Sequence, residues 1–293
     1  MNPFKRTFHF IHHHPLAKRH LLKAYRRFLT WQILSRLYPK LIKWPFIENV
    51  SFYAKKQLTG ITGNIYTGLH EFEDMAFLIH YLKKEDRFMD IGANVGSYTL
   101  LATGLKKCKT IAFEPVSSTF NILKKNILLN NIEDKAVCYQ KCVGSNHEIV
   151  NFTFNEDTAN HIEPIATKAT FSVETVRVDD FLKPFNPTIL KIDVEGFETE
   201  VLNGAAKTLS NKELNVIIIE LNGSGGRYGY KETEIHDKLL SFSFTPYEYF
   251  PFERNLRRMD NFENLNTIYI RNIELANKRV TQSRKFKIFS EWI

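Results

Sequence analysis

Short runs rich in Val, Ile, Leu and Phe alternate, from Glu71 onward, with longer segments in helical spacing. This alternation narrows the fold more than any other feature of the chain. "EFEDMAFLIHYL" sets Phe72, Met75, Ala76, Ile79 and Leu82 on one helical face. "RFMDIG" then reads as a strand, "SYTLLATGL" as a helix, "KTIAFEP" as a second strand and "STFNILKKNILLNN" as a second helix. "KAVCYQKCVG" reads as a third strand, and "TILKID" and "NVIIIEL" as two more, separated by the helical "GFETEVLNGAAKTL". Strands without polar alternation are buried on both faces, so this order implies an α/β chain with a mostly parallel sheet and helices on both sides. "EIVNFTF" and "TFSVETVRV" break the order as a β-hairpin insert, and "YEYFPF" with "NTIYIR" forms an antiparallel pair at the sheet edge.

The first strand ends in Asp90 and opens through Gly92-Ala93-Asn94-Val95-Gly96 into a helix. Glycines at such a turn let backbone N–H groups approach a nucleotide above a helix N-terminus. A dinucleotide fingerprint needs a middle glycine, and Asn94 stands there instead. An acidic residue at the strand end suits a cationic amine better than a pyrophosphate, and S-adenosylmethionine carries such an amine. The second strand ends in Glu114, followed by Pro115. A carboxylate there can accept hydrogen bonds from both ribose hydroxyls, in NAD as well as in S-adenosylmethionine. Cys142, Val143 and Gly144 follow in order to line the adenine edge.

The net charge of +8 is unevenly spread. No Asp or Glu precedes Glu48, whereas ten Lys and Arg do; the rest of the chain holds 30 basic against 32 acidic residues. That near-neutral body argues against a nucleic-acid partner. Residues 16 to 44 read as one or two amphipathic helices, with Leu21, Leu22, Tyr25, Phe28 and Leu29 at helical spacing among the cations. They point either to peripheral membrane contact or to a packed helix with a solvated basic face; an acid-free, Arg-containing start also resembles an organellar transit peptide. His12-His13-His14 shows no metal-ligand spacing. Cys108, Cys138 and Cys142 lack CxxC spacing and read as buried thiols of a reducing compartment. With no apolar run long enough to span a bilayer, the expected location is cytoplasmic, with membrane-peripheral contact the variant. The chain divides by composition into a basic segment 1–47, a main domain 48–272 and a basic tail 273–293.

Five stretches in order, "FMDIGANVGSYT", "AFEP" before "NILLNN", "VDDF", "LKIDVEGFETEVLNGA" and "IIIELN", resemble the FkbM-type S-adenosylmethionine-dependent methyltransferases. The resemblance covers roughly residues 66 to 222. It implies a Rossmann-like class I methyltransferase fold with a mostly parallel seven-stranded sheet. The implied cofactor is S-adenosylmethionine, and the implied cofactor-binding residues are Asp90, Gly92, Ala93, Asn94, Gly96, Glu114, Pro115 and Val143. It also implies methylation of a hydroxyl on a glycan, lipid-linked sugar or natural product. A nicotinamide-dependent oxidoreductase and a catalytically inactive binding module are the alternatives.

Ligands in open α/β sheets sit beyond the carboxyl ends of the strands. Lys191, Asp193 and Glu195 surround the end of "LKID", and Glu220 and Asn222 end the next strand. Asp193 or Glu195 could take a proton from an acceptor alcohol, as could Lys191 were its pKa lowered. A divalent metal on Asp193, Glu220 and Asn222 is the less favoured variant. Asn160 and His161 on the insert are secondary candidates, Glu71 could close the site from above, and "GSGGRYGY" reads as an acceptor-side loop.

Overall fold

Strands form where β-branched residues run together, and here the runs are buried on both faces. Ile217 and Ile219 point into one apolar cluster, with Leu190 and Ile192, while Val216 and Ile218 point into another, with Ile189 and Phe88. The computed structural model describes residues 3–56, 58–153, 160–163, 167, 169–262 and 265–293. The chain begins with α1 (Pro3–His13), a 3-10 turn (Ala17–His20) and α2 (Leu21–Leu37). A hairpin of β1 (Ile42–Ile47) and β2 (Val50–Ala54) leads to α3 (Thr59–Thr67) and α4 (Phe72–Tyr81). Next come β3 (Arg87–Ile91), α5 (Ser97–Thr99) running into a π-helical turn (Leu100–Leu105), β4 (Lys109–Phe113), α6 (Ser117–Leu129) and β5 (Ala136–Tyr139).

The insert holds β6 (Cys142–Val143), β7 (Ile149–Thr153) and β8 (Thr170–Val176). The second half runs β9 (Ile189–Ile192), α7 (Glu198–Asn203), α8 (Ala206–Ser210), β10 (Val216–Glu220) and α9 (Glu232–Ser241). It closes with β11 (Thr245–Phe250), β12 (Asn255–Arg258), β13 (Asn266–Ile270), α10 (Ile273–Gln282) and a short hairpin of β14 (Lys287–Ile288) and β15 (Glu291–Trp292).

The large sheet has the order β12-β11-β13-β10-β9-β3-β4-β5. The strands β5, β4, β3, β9 and β10 are parallel, and β13 pairs antiparallel with β10. Seven strands form the expected Rossmann-like class I sheet, and β12 adds an eighth outside β11. The chain winds outward from β3 through β4 to β5, then returns to β9 on the other side. The strand order therefore switches between β3 and β9, which opens a crevice at their carboxyl ends.

Two elements differ from their sequence reading. The expected third strand breaks after Tyr139: Cys142 and Val143 leave the main sheet and pair with β8 instead. Residues 16 to 44 do not stay helical, since Trp44 lies on β1. The N-terminal segment also joins the main core, because Ile11, Ala24, Phe28 and Trp31 are buried in the same cluster as Phe88 and Ile218. The "NEDTANHIEP" stretch lies largely outside the described residues.

Candidate active site

At the switch point Asp90 on β3 lies in register beside Lys191 on β9. The Thr99 hydroxyl donates to the Asp90 carboxylate at 2.6 Å. Burial pushes the Asp90 pKa up to about 6, against the pull of Thr99 and Lys191. Glu114 accepts from the Val116 N–H at 2.9 Å and from the Asn94 N–H at 3.0 Å. Its pKa is pushed up to about 7, again chiefly by burial. A carboxylate offers about four acceptor sites, so Glu114 keeps roughly two beyond those backbone bonds.

The glycines of this turn serve the chain itself. The N–H groups of Gly92 and Ala93 both donate to the Phe113 carbonyl, and that of Gly96 donates to Ala93. Gly92 has φ +81°, and a Cβ there would lie 1.7 Å from the Asp193 carbonyl oxygen. Gly96, at φ +96°, does not line the cavity; a Cβ on it would strike Leu123 at 2.6 Å. The N–H groups of both glycines are thus engaged within the chain, and their lack of a Cβ lets the turn pack against Asp193 and Leu123.

Beyond the turn lies a cavity of about 770 Å³. Asp90, Gly92, Ala93, Asn94, Glu114, Pro115 and Val143 line it, together with Lys191, Asp193, Glu195, Glu220 and Glu71. The Lys191 ammonium donates to Asp193 and to Asn266, each at 3.1 Å, and lies 5.2 Å from the centre of the Tyr98 ring. Burial lowers its pKa, but Asp193, Glu71 and Glu220 outweigh burial and raise it. Lys191 is therefore a fixed cation, and the variant in which it serves as a base fails. Its salt bridge to Asp193 fixes the end of β9.

The Asp193, Glu195 and Glu220 carboxylates offer oxygens within 4.8 Å of one another. Crowded like charges are relieved by keeping protons. Burial and the charge of Asp193 raise the Glu220 pKa strongly, and a hydrogen bond joins the two acids. Glu195 is pushed up to about 7 by burial, then by Asp193 and Glu198. Asn222 does not line the cavity. Its amide donates to Glu220 at 3.0 Å and its oxygen accepts the Ser224 N–H at 2.9 Å. With its oxygen so engaged it is a brace, and the oxygen set that could hold a cation is Asp193, Glu195 and Glu220. Lys191 already brings one positive charge to that set.

His161 does not line the cavity, and its ring lies 3.8 Å from Glu163; Asn160 does line it. Glu71 accepts the Tyr98 hydroxyl proton at 2.5 Å. Tyr98 and Asn266 escape sequence reasoning, although Asn266 stands opposite Glu220 in the β10–β13 ladder. The wall formed by Arg6, Phe10, Trp31 and Tyr66 also went unread, since nothing local ties the N-terminus to the crevice.

A family model described as "Methyltransferase FkbM domain" matches residues 90–249, more than half of the chain. The chain belongs to the FkbM methyltransferase family. It is 25% identical over 187 residues to "Hexuronic acid methyltransferase AglP" of Haloferax volcanii, covering 62% of this chain and 76% of that protein. It is 26% identical over 196 residues to "Methyltransferase 1" of Beauveria bassiana, covering 57% and 77%. Among solved structures, precorrin-6y C5,15-methyltransferase from Geobacter metallireducens GS-15 aligns with a TM-score of 0.42 at 12% identity, covering 74% of this chain and 91% of that one.

As an FkbM methyltransferase the protein is S-adenosylmethionine-dependent, and the cavity fits that donor. Asp90, Glu114, Asp193, Glu195, Glu220 and Glu71 line it with the buried Lys191 ammonium, and Arg6, Lys56 and Lys141 line it as well. The nicotinamide alternative falls on family. Among the described residues, no helix is long and apolar enough to cross a membrane.

Proposed function

We propose that this methyltransferase acts on a hydroxyl group of a glycan, a lipid-linked sugar or a related natural product, with Asp193 as the general base. The donor, when bound, supplies a methyl carbon on a positively charged sulfur. When it is bound, Asp90 would hold its amino group, Glu114 would accept from its ribose hydroxyls, and Val143 and Pro115 would border its adenine. The chain then has three tasks: to align the acceptor oxygen, to exclude water and to receive one proton. Asp193 is suited to the last. It lies at the tip of β9, and Lys191 holds its carboxylate at 3.1 Å. Burial and the Asp193 charge raise the Glu220 pKa beside it, and Glu195 stands within reach as the next carrier.

The observation that carries this reading is the convergence of Asp90, Glu114 and the Asp193 group on one cavity. The relative named for a hexuronic acid supports a sugar acceptor. Radiolabelled methyl transfer onto fractionated glycans and lipids would find the acceptor. With it in hand, Asp193→Asn should lower the rate by at least ~100-fold. Binding of S-adenosylhomocysteine, read by calorimetry, should change by less than about threefold. Equal loss of binding and rate would mean that Asp193 holds the donor, and the assignment would be wrong.

A further inference from the structure

The helix α2 is apolar on two opposite faces. Ala24, Phe28, Trp31 and Ser35 point inward and are buried. Turned about half a circle from them are Leu22, Leu29, Ile33 and Leu37, which are 90%, 58%, 59% and 67% exposed. Residues spaced by three, four and seven share a helix face, so these four lie on one face, with the exposed Arg26 set between Leu22 and Leu29. At about 1.5 Å per residue it runs for roughly 23 Å. Among the described residues nothing covers it. An exposed, largely apolar helix face of this length marks a contact site.

The surroundings indicate what the stripe meets. No acidic residue occurs before Glu48, while Lys18, Arg26, Arg36 and Lys40 are exposed at or beside α2. Trp292, 58% exposed, sits on the C-terminal hairpin that Lys23 ties to α2 through the Phe289 carbonyl at 2.6 Å. An apolar stripe with cations in and beside it, and an exposed tryptophan on a hairpin tied to the same helix, matches a helix lying in the plane of an anionic bilayer surface. A protein partner would need carboxylates along both edges of the stripe. A second copy of this chain would bring cations against cations.

We propose that the outer face of α2 docks onto an anionic lipid bilayer, with the Leu/Ile stripe at the headgroup–acyl boundary. The inward face of the same helix supplies Trp31, Gln32 and Ser35 to the cavity wall. One helix diameter, about 10 Å, then separates the headgroups from the site. The docking names the setting in which the acceptor is met, and in that respect it rests on the sugar or lipid-linked reading above.

The test is flotation of the full chain with vesicles of phosphatidylcholine alone or mixed with phosphatidylglycerol. Binding should favour the mixed vesicles by about tenfold or more. Leu29→Asp with Ile33→Asp should lower it about tenfold or more, and Lys18→Glu with Arg26→Glu should remove the preference for anionic lipid. Both variants should keep the wild-type melting temperature and the wild-type rate on a soluble acceptor. Wild-type protein that ignores vesicles, or an Asp variant that binds them as well as wild type, overturns the proposal. So does a dimer that the Asp variant dissociates while vesicles go unbound. Vesicle binding without any methyl transfer would uphold the docking and remove only the acceptor reading.

Discussion

Gly92 has a task in the folded chain that its motif does not announce. Its presence after Asp90 marks a nucleotide-handling turn. In the folded chain its lack of a Cβ lets the turn pass the backbone of Asp193, a residue about a hundred positions away, and no local spacing discloses that contact. Gly92→Ala must move the β9 terminus or the turn, and φ +81° adds strain. A loss of about 3 kcal/mol or more is expected, measured as a fall in the urea midpoint at unchanged slope. Gly223→Ala is the control, because a Cβ there meets nothing within 4 Å and only φ +85° opposes it. Lys191 teaches the same lesson about charge. Its place beside Asp193 was legible from strand alternation, but its protonation state was not. Glu71 and Glu220, which with Asp193 raise its pKa, arrive from two other parts of the chain.

The parallel strands and their helices were legible as elements because each carries its own signal, a β-branched run or a 3.6-residue period. What escaped were elements whose fate depends on distant neighbours. Tyr139 and Cys142 belong to one apparent strand, yet β8 captures the second half for the insert sheet. The helix α2 was read as a single-faced amphipath, because Leu22, Phe28 and Leu29 were placed together. The structure puts Phe28 inside and both leucines outside. This division predicts opposite outcomes for two substitutions on one helix. Trp31 is buried, packs edge-on to Trp44 at 6.0 Å between ring centres and walls the cavity. Trp31→Ala should cost about 3–5 kcal/mol, the usual range for removing a large buried aromatic. Leu29→Ala should stay within about 0.5 kcal/mol of wild type. Chemical denaturation of the two proteins side by side checks the contrast. If Trp31→Ala proved as neutral as Leu29→Ala, the N-terminal segment would not be part of the core.

On the scale of the whole molecule, charge is segregated: cations gather at the N-terminal segment and carboxylates converge on the crevice. Buried carboxylates near one another keep protons that the unfolded chain gives up. The pKa values of Asp90, raised to about 6, and of Glu114, Glu195 and Glu198, raised to about 7, all express this, with burial as the leading cause. Their values in the unfolded chain lie near ~4. Between about pH 4 and pH 7 the folded protein therefore binds more protons than the unfolded one. The stability these groups contribute is then full at the acid end and lost as pH rises through about 6 to 7. The donor-free protein should melt at a lower temperature at about pH 8 than at about pH 6. A ligand that brings positive charge into the crevice should offset that loss, because it stabilises the ionised carboxylates. S-adenosylmethionine carries a charged sulfur and S-adenosylhomocysteine a neutral one. The rise in melting temperature with the methyl donor should accordingly grow between about pH 6 and pH 8, and that with the demethylated product should grow less. Thermal melts at three pH values with each ligand would read both slopes. Parallel slopes for the two ligands, or donor-free stability that climbs across this window, would show that the carboxylates of the crevice do not govern what it binds.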